Sequence, residues 1–286
     1  MMNQSMQGKT CVITGGTDGI GLVAARELAL LGARLLLIGK NAEKGARAVA
    51  GMRAVAGHGG VEFLCADLSS QTEVRGLASL LRARAGRIDV LINNAGAIFI
   101  KRQQSVDGIE MTFALNQLAY FLLTDLLLDL LTASAPARIV NVASATHASA
   151  ALDLDDVQMR RGYSGMKAYS NSKLANILFS NELARRLAGR GVTVNSLHPG
   201  YVNTNFGQNN SRLERTAMAA SAKLFAISPE AGARTSIYLA ASPQVAGVSG
   251  KYFFECRETR PSPAALDHAL GARLWALCAE MTGVAR

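Results

Sequence analysis

The chain is short of the residues that build disulfide scaffolds and disordered linkers. Its 286 residues include 4 cysteines and 6 prolines, and no C-x-x-C spacing occurs. Cysteines without that spacing, such as Cys11 and Cys65 in predicted buried strands, favour a reducing compartment over a zinc or disulfide framework. Because no low-complexity linker or internal repeat divides the sequence, we expect a single domain over residues 1–286.

Long apolar runs and a secretory leader are also missing. The longest apolar stretch, residues 119–132, is interrupted by Thr124, Asp125 and Asp129 and is too short to cross a bilayer. Residues 1–8 lack the basic start and apolar core of a secretory signal. We therefore expect a cytoplasmic protein without a membrane anchor, in which residues 1–8 form an N-terminal tail.

Patterned metal ligands and basic runs are absent as well. The four histidines show no metal-ligand spacing, so we predict no metal site. The formal net charge is +9, but lysine and arginine are dispersed through predicted helices rather than interleaved with aromatic residues. We expect no nucleic-acid partner, and we note that a basic surface also suits an anionic cofactor.

What the sequence does contain is a regular alternation of strand and helix patterns. Continuous apolar runs such as 35–38 and 90–92 are typical of parallel strands covered on both faces. The predicted strands are 9–14, 34–38, 61–66, 88–92, 138–143, 192–197 and 248–254, and the predicted helices are 19–31, 42–56, 71–85, 107–132, 168–189, 229–241 and 264–281. This order predicts an α/β fold, a single-domain Rossmann-type doubly wound parallel sheet of about seven strands with helices on both faces.

A glycine-rich loop follows the first predicted strand. Gly15 follows that strand, and Gly19 and Gly21 stand at the start of the first helix. Glycines at such positions allow a tight turn that brings backbone N–H groups close to a pyrophosphate at the helix N-terminus. The spacing is a variant of the dinucleotide fingerprint in its required strand–loop–helix context, so we predict a dinucleotide site here.

No acidic residue stands where NAD-preferring domains usually place one. The second strand ends at Gly39, Lys40 and Asn41, and no Asp or Glu occurs from Arg34 to Ala42. A carboxylate there would accept hydrogen bonds from the ribose diol of NAD, whereas Lys40 would attract a 2′-phosphate. Gly39 leaves space for that phosphate, so we predict NADP(H) as the cofactor.

Two Tyr-x-x-x-Lys pairs occur near the start of the fifth predicted helix. Residues at i and i+4 share one helix face, and a nearby cation lowers a phenol pKa from its usual value of about 10. Such a tyrosine is suited to proton transfer in carbonyl reduction or alcohol oxidation. We favour Tyr169 and Lys173 because they lead directly into the helix, whereas the Tyr163–Lys167 pair precedes it.

Together, these motifs resemble those of the short-chain dehydrogenase/reductase family. The matching residues are Thr14-Gly15, Gly19-Ile20-Gly21, Asp67-Leu68, Asn93-Asn94-Ala95-Gly96, Asn116, Ser144, Tyr169, Lys173 and Pro199-Gly200. Within the family the chain is most similar to the retinol-dehydrogenase-like branch, through 169–176, 198–200, 250–253, 261–263 and 273–275. The resemblance covers nearly the whole chain.

The resemblance implies a cofactor site and a catalytic group. In the latter, Ser144 orients the substrate carbonyl, Tyr169 exchanges the proton, Lys173 lowers its pKa and holds the nicotinamide ribose, and Asn116 holds a water in a proton relay. The implied cofactor-binding residues are Gly15, Thr17, Asp18, Gly19, Ile20, Gly21, Lys40, Asp67, Leu68, Asn94, Ala95, Gly96, Tyr169, Lys173, Pro199, Gly200, Val202 and Thr204. From the residues alone, Asp67 is also suited to a helix N-cap and Asn116 to a core amide.

The expected function is NADP(H)-dependent hydride transfer between nicotinamide and a carbonyl or alcohol of an apolar small molecule. A C=C (enone) reductase and a non-catalytic NADP(H)-binding regulator are the alternatives. By resemblance, 201–228 forms a substrate lid, although a surface excursion fits the pattern too, and 255–286 is a C-terminal extension. Helices 107–132 and 168–189 are apolar on more than one face, which predicts a homodimer or homotetramer or, alternatively, two-sided burial within one subunit.

Overall fold

A single mixed sheet forms the centre of the protein. The computed structural model describes residues 5–57, 60–202 and 227–284. Within them the strands are β1 Thr10–Thr14, β2 Arg34–Gly39, β3 Val61–Cys65, β4 Val90–Asn93, β5 Ala137–Val142, β6 Val192–Leu197, β7 Tyr252–Phe254 and β8 Arg257–Glu258. Their order is β3-β2-β1-β4-β5-β6-β7-β8. Strands β1 to β7 run parallel, and β8 pairs antiparallel with β7.

This sheet confirms the predicted α/β class, with one strand more than the apolar runs indicate. The extra strand, β8, is two residues long and exposed, so it carries no apolar pattern to detect. The central strands are fully buried, as at Val12, Ile13 and Leu36, and apolar clusters cover both faces of the sheet. Cys65, in contrast, ends β3 in an exposed position.

Helices flank the sheet, and side-chain caps set where several of them begin. They are α1 Gly19–Leu30, α2 Ala42–Ala56, α3 Gln71–Ala85, α4 Met111–Ala133, α5 Gly165–Arg186, α6 Pro229–Ala241 and α7 His268–Thr282. Helix α4 starts later than predicted because the Glu110 carboxylate accepts hydrogen bonds from the backbone N–H groups of Thr112 and Phe113. Helix α7 likewise starts where Asp267 caps Leu270.

Helix α4 is long and apolar enough to cross a membrane by length and composition alone. In its most apolar window, however, 78% of the residues are buried inside the protein. After its first three residues the helix contains a π-helical segment, Ala114–Leu118. Segments of this kind are frequent at functional sites, and this one places the Asn116 side chain at the carboxyl ends of the strands.

The apolar faces of α4 and α5 are buried within the subunit by α7. The Trp275 ring meets Phe121 edge-on at a centroid distance of 4.9 Å and stacks on Phe179 at 5.9 Å. The Arg186 guanidinium lies 4.3 Å from the Trp275 ring centroid, a distance at which a cation is attracted to the indole face. Burial within one subunit therefore accounts for the apolar character of these contact faces.

Candidate active site

The candidate site lies beyond the carboxyl ends of β1, β4, β5 and β6. The strand order reverses between β1 and β4, and ligands of open parallel sheets bind at such a switch point. Gly15 turns the chain with a φ of 65°. Gly21 lets α1 approach this turn closely, because a Cβ there would lie 2.2 Å from the Gly15 carbonyl oxygen and 2.5 Å from Asn94 Nδ2. The loop therefore fits the tight phosphate-binding turn that a dinucleotide needs.

We expect Gly21→Ala to disrupt this turn. The added methyl group would force the loop and α1 apart, at a cost of about 1–3 kcal/mol in the free energy of unfolding, and dinucleotide affinity should fall at least tenfold. Thermal unfolding and fluorescence titration with NADPH measure the two effects. Gly76→Ala in α3 is the matched control, because its Cβ would meet no atom within 4 Å and alanine favours the helix. Equal stability and affinity in Gly21→Ala would contradict the role of this turn.

Hydrogen bonds fasten the loop after β4 to the end of β1. Thr14 Oγ1 accepts from the backbone N–H groups of Asn94 at 2.9 Å and Ala95 at 3.0 Å, and Asn94 Nδ2 donates to the Thr14 carbonyl at 3.0 Å. The next residue, Gly96, lies against the candidate catalytic residues, because a Cβ there would be 3.5 Å from Lys173 Nζ. The predicted Asn-Asn-Ala-Gly motif thus joins the glycine-rich loop to the predicted catalytic side chains.

The glycine-rich loop also carries an ion pair. Asp18 caps α1 by accepting from the Gly19 N–H at 2.8 Å, and its second carboxylate oxygen lies 2.6 Å from Lys44 Nζ. The Lys40 side chain is exposed at the end of β2, and the adjoining Gly39 is held close to Thr17, whose Oγ1 would lie 3.1 Å from an added Cβ. The negative charge of Asp18 is therefore balanced within the protein.

Asp67 and Leu68 follow β3 at the same edge of the sheet. Asp67 Oδ1 accepts from the backbone N–H and the hydroxyl of Ser69 at 2.9 and 2.7 Å. The cap of α3 is Ser70, whose hydroxyl accepts from the Glu73 N–H. The N-cap interpretation of Asp67 is therefore wrong, and its side chain instead shapes the turn beside β2. Leu68 is buried at 5% exposure.

Ser144 and Tyr169 are brought together although they lie on different elements. Ser144 follows β5 with extended backbone and accepts from the Thr146 N–H at 3.2 Å, and its hydroxyl lies beside the Tyr169 phenol on α5. The Ser144 hydroxyl lowers the pKa of Tyr169 by stabilising the phenolate, but burial is the larger effect and raises it to about 12. Tyr169 is thus protonated at neutral pH.

Lys173 lies one helical turn after Tyr169 but does not acidify it as the spacing predicts. Its Nζ donates to the Val142 carbonyl at 2.9 Å and lies 5.6 Å from the Tyr169 ring centroid. Burial lowers the pKa of Lys173 from 10.5 to about 7, because an apolar environment disfavours the charged amine. The Lys173 amine is only partly protonated at neutral pH, and it points at the Val142 carbonyl rather than at the Tyr169 hydroxyl. Desolvation is therefore the main influence on the pKa of Tyr169.

Asn116 is fully buried beside Lys173. Its Oδ1 accepts from the Ala97 N–H at 2.9 Å, and its Nδ2 donates to the Ala97 carbonyl and to Ser172 Oγ, each at 3.0 Å. Its own backbone carbonyl accepts from Asn176 Nδ2 at 2.7 Å. The side chain therefore acts as the satisfied core amide that was the alternative interpretation, and it also locks α4 to the loop after β4 and to α5.

The second tyrosine–lysine pair lies outside this group. The Tyr163 hydroxyl donates to the Phe99 carbonyl at 2.7 Å and lies 3.2 Å from Glu110 Oε1, while Lys167 is exposed. This arrangement favours Tyr169, as predicted from the helix pattern. Tyr163 instead fixes the start of α4.

The loop after β6 completes the rim of the site. Gly200 has a φ of 89°, and a Cβ there would lie 2.9 Å from Ile227 Cδ1. Val202 forms a parallel bridge with Ile227, so the two ends of the segment between them meet. Thr204 and nearly all of the predicted lid, 201–228, lie outside the described residues.

The sequence of residues 9–215 matches the family model for short chain dehydrogenase. The chain belongs to the short-chain dehydrogenase family. Retinol dehydrogenase 14 of Homo sapiens is 41% identical over 294 residues, covering 98% of this chain and 88% of that protein. Polyprenol dehydrogenase of Homo sapiens is 40% identical over 282 residues, covering 96% and 86%. These relatives confirm the retinol-dehydrogenase-like branch.

A solved structure supports the same assignment. The Pseudomonas aeruginosa RhlG/NADP active-site complex has a TM-score of 0.70 and 29% identity to this short-chain dehydrogenase, covering 88% of this chain and 96% of that one. Family membership makes the protein an oxidoreductase that uses a nicotinamide cofactor.

Sequence reasoning missed two residues of this short-chain dehydrogenase. Lys44 lies in the first turn of the helix that follows Lys40, and this nearness in sequence was the available signal for a second cation near the loop. His147 is buried three residues after Ser144 and is bonded to it. The residues around His147 in the sequence do not indicate this role, because its other partners, Tyr252 and Ser262, come from a distant segment.

Proposed function

We propose that the protein is an NADP(H)-dependent oxidoreductase acting on the carbonyl or alcohol group of an apolar small molecule. The observation that carries the proposal is that Ser144, which follows β5, lies beside the Tyr169 phenol, with Lys173 one turn along the same helix and bonded to the Val142 carbonyl at the end of β5. A serine hydroxyl and a protonated phenol side by side form two donors for one substrate oxygen, the arrangement that carbonyl reduction requires.

Each side chain then has a distinct role. A bound nicotinamide supplies or accepts the hydride. Ser144 orients the substrate oxygen, and Tyr169 gives its proton to that oxygen in reduction or takes it back in oxidation. Lys173 holds the nicotinamide ribose, while Asn116 fixes the surrounding backbone. We assign the cofactor to the glycine-rich loop, Lys40, Asp67, Leu68, the segment 94–96, and the rim residues Pro199, Gly200, Val202 and Thr204.

The charges near the end of β2 support NADP(H) over NAD(H). Lys40 is exposed there, and no acidic residue precedes it in that strand. The one carboxylate of the loop, Asp18, is neutralised by Lys44 at 2.6 Å, so it repels an anionic 2′-phosphate less than a free carboxylate would. The two lysines and the loop together form a site suited to a phosphate group.

We expect Lys40→Ala to raise the KM for NADPH about tenfold or more, the size of one lost charge-assisted hydrogen bond, with little change in the KM for NADH. Steady-state kinetics with both cofactors measure the difference. Lys251→Ala is the control for net charge. Lys251 stands just before β7 and pairs with Glu258 of β8 at 2.9 Å, at the other end of the sheet from β2. Equal or better catalytic efficiency with NADH in the unmodified protein would exclude the preference.

The rim of the site and the relatives support an apolar substrate. Tyr201 and Ile227 are 53% and 39% exposed beside Gly200, and the relatives carry retinol and polyprenol, two alcohols, in their names. We propose that 201–228 forms a lid over such a substrate, since Val202 and Ile227 form a bridge at the rim of the site.

A screen for NADPH consumption with apolar aldehydes, ketones, quinones and enones tests the activity. Oxidation of NADPH with formation of the corresponding alcohol supports the proposal. A saturated carbonyl product from an enone would instead identify a C=C reductase. Cofactor binding without turnover of any compound would identify the non-catalytic NADP(H)-binding regulator.

We further propose that the protein acts in the cytoplasm and that any homodimer or homotetramer uses a surface other than the Trp275 contact. Its four cysteines are all free, which suits a reducing compartment. Trp275 already occupies the apolar faces around Phe121 and Phe179. Sedimentation of the full chain measures the assembly.

A further inference from the structure

A cluster of two histidines and a tyrosine lies directly behind Ser144, with His147 and Tyr252 buried and His198 half-buried. His147 Nδ1 is 2.8 Å from the Ser144 carbonyl oxygen, and its Nε2 accepts from the Ser262 backbone N–H at 3.0 Å. The Tyr252 hydroxyl lies 2.7 Å from His198 Nδ1 and 3.4 Å from His147 Nδ1. None of these three side chains has a role in the mechanism above.

The contacts of His147 are compatible with one protonation state. The Ser262 N–H can only donate, so Nε2 carries no proton. The Ser144 carbonyl can only accept, so Nδ1 carries the proton and donates it to that oxygen. His147 is therefore the neutral Nδ1–H tautomer, in agreement with burial, which lowers its pKa.

This tautomer also fixes the proton of Tyr252. Because His147 Nδ1 is a donor, the Tyr252 O–H has to donate to His198 Nδ1, and the remaining proton of His198 stands on Nε2. Burial, with His147 as a second cause, lowers the pKa of His198 to about 4, so this ring is neutral too. The position of each proton is then defined along the contacts from Ser144 through His147 and Tyr252 to His198, the residue before Pro199.

We infer that His147 is a positioning residue that holds the catalytic Ser144 through its carbonyl and fastens it to the C-terminal segment at Ser262. The Ser144 carbonyl receives two donors from the same residue, the His147 backbone N–H at 3.1 Å and the ring at 2.8 Å. The bond on the opposite side of the ring prevents it from turning. The inference rests on the proposed function of Ser144 and Tyr169.

Two substitutions separate the two ring bonds. Asparagine places an amide nitrogen near the Nδ1 position, so His147→Asn keeps the donor to Ser144 and loses the acceptor for Ser262. Glutamine reaches the Nε2 position, so His147→Gln keeps the acceptor and loses the donor. We expect kcat to stay within about threefold in His147→Asn and to fall about tenfold to a hundredfold in His147→Gln, the size of a small misplacement of a catalytic group.

Further readouts distinguish positioning from general damage. The dissociation constant for NADPH should be unchanged in both variants, because the ring of His147 is hydrogen-bonded to Ser144 and Ser262 rather than to the glycine-rich loop. Tyr252→Phe is the control, because it removes the bond to His198 but leaves the ring bond to Ser144, and its kcat should stay near that of the unmodified protein. Nitrogen NMR of labelled histidine should show His147 protonated on Nδ1 and His198 on Nε2.

Each other result has a defined meaning. A His147 ring protonated on Nε2, or equal kcat in His147→Gln and the unmodified protein, would overturn the positioning role alone. Equal losses of kcat in the asparagine and glutamine variants would do the same, because the donor to Ser144 would then not matter. An unmodified protein that binds NADPH but turns over no carbonyl would remove the proposed function and this role together.

Discussion

Replacing Tyr169 with phenylalanine is expected to lower kcat for carbonyl reduction about a hundredfold to ten-thousandfold, the usual loss when a general acid is removed. The phenol lies beside Ser144, and burial raises its pKa to about 12, so it holds its proton throughout the neutral range. Phenylalanine keeps the ring beside Lys173, at 5.6 Å from Nζ. The dissociation constant for NADPH and the circular dichroism spectrum should therefore stay the same.

Tyr163→Phe is the matched control for this experiment. It removes a hydroxyl that donates to the Phe99 carbonyl at 2.7 Å, so the free energy of unfolding should fall by about 0.5–1.5 kcal/mol. Its kcat should be that of the unmodified protein, because Tyr163 lies outside the catalytic group. An undiminished kcat in correctly folded Tyr169→Phe would exclude Tyr169 as the proton donor.

Lys173→Met is expected to lower kcat about a hundredfold or more, because it removes the preorganised donor that we assign to the nicotinamide ribose beside the phenol. It should also change how stability depends on pH. Burial lowers the pKa of Lys173 to about 7 in the folded protein, against 10.5 for the exposed side chain. Between these values the unfolded chain binds more protons than the folded one, so the free energy of unfolding should rise with pH.

This rise should be at most about 1.4 kcal/mol per pH unit, and it should be missing from the Lys173→Met protein. Urea unfolding of both proteins at pH 7 and pH 9 measures it, and the other titrating groups cancel in the comparison. Lys167→Met is the control, because Lys167 is exposed on the same helix and should alter neither kcat nor the pH slope. A slope that persists in Lys173→Met would show that the amine is not the group responsible.

The sequence predicts this fold well because its signals are local. The apolar runs of β2 and β4 and the glycines of the first loop specify parallel strands and a phosphate-binding turn without help from distant residues. The start of α4 was predicted too early, since the cap formed by Glu110 depends on where its side chain points. The two-residue β8 has no apolar pattern to reveal it.

The chemistry of the site was harder to predict because it depends on burial. The four-residue spacing of Tyr169 and Lys173 correctly placed both on one helix, but it did not show that desolvation raises the first pKa and lowers the second. Lys44 neutralises Asp18 from another element. His147 and Tyr252 are 105 residues apart, so their contact is decided by the order of β5, β6 and β7 in the sheet.

The packing of α7 gives the protein a built-in spectroscopic probe. The chain contains 1 tryptophan, and that residue, Trp275, is enclosed by Phe121, Phe179 and the guanidinium of Arg186. Indole emission therefore reports on a single contact, the packing of α7 against α4 and α5, which carry Asn116, Tyr169 and Lys173. Undocking of this terminal helix thus has its own optical signal, which no other tryptophan obscures.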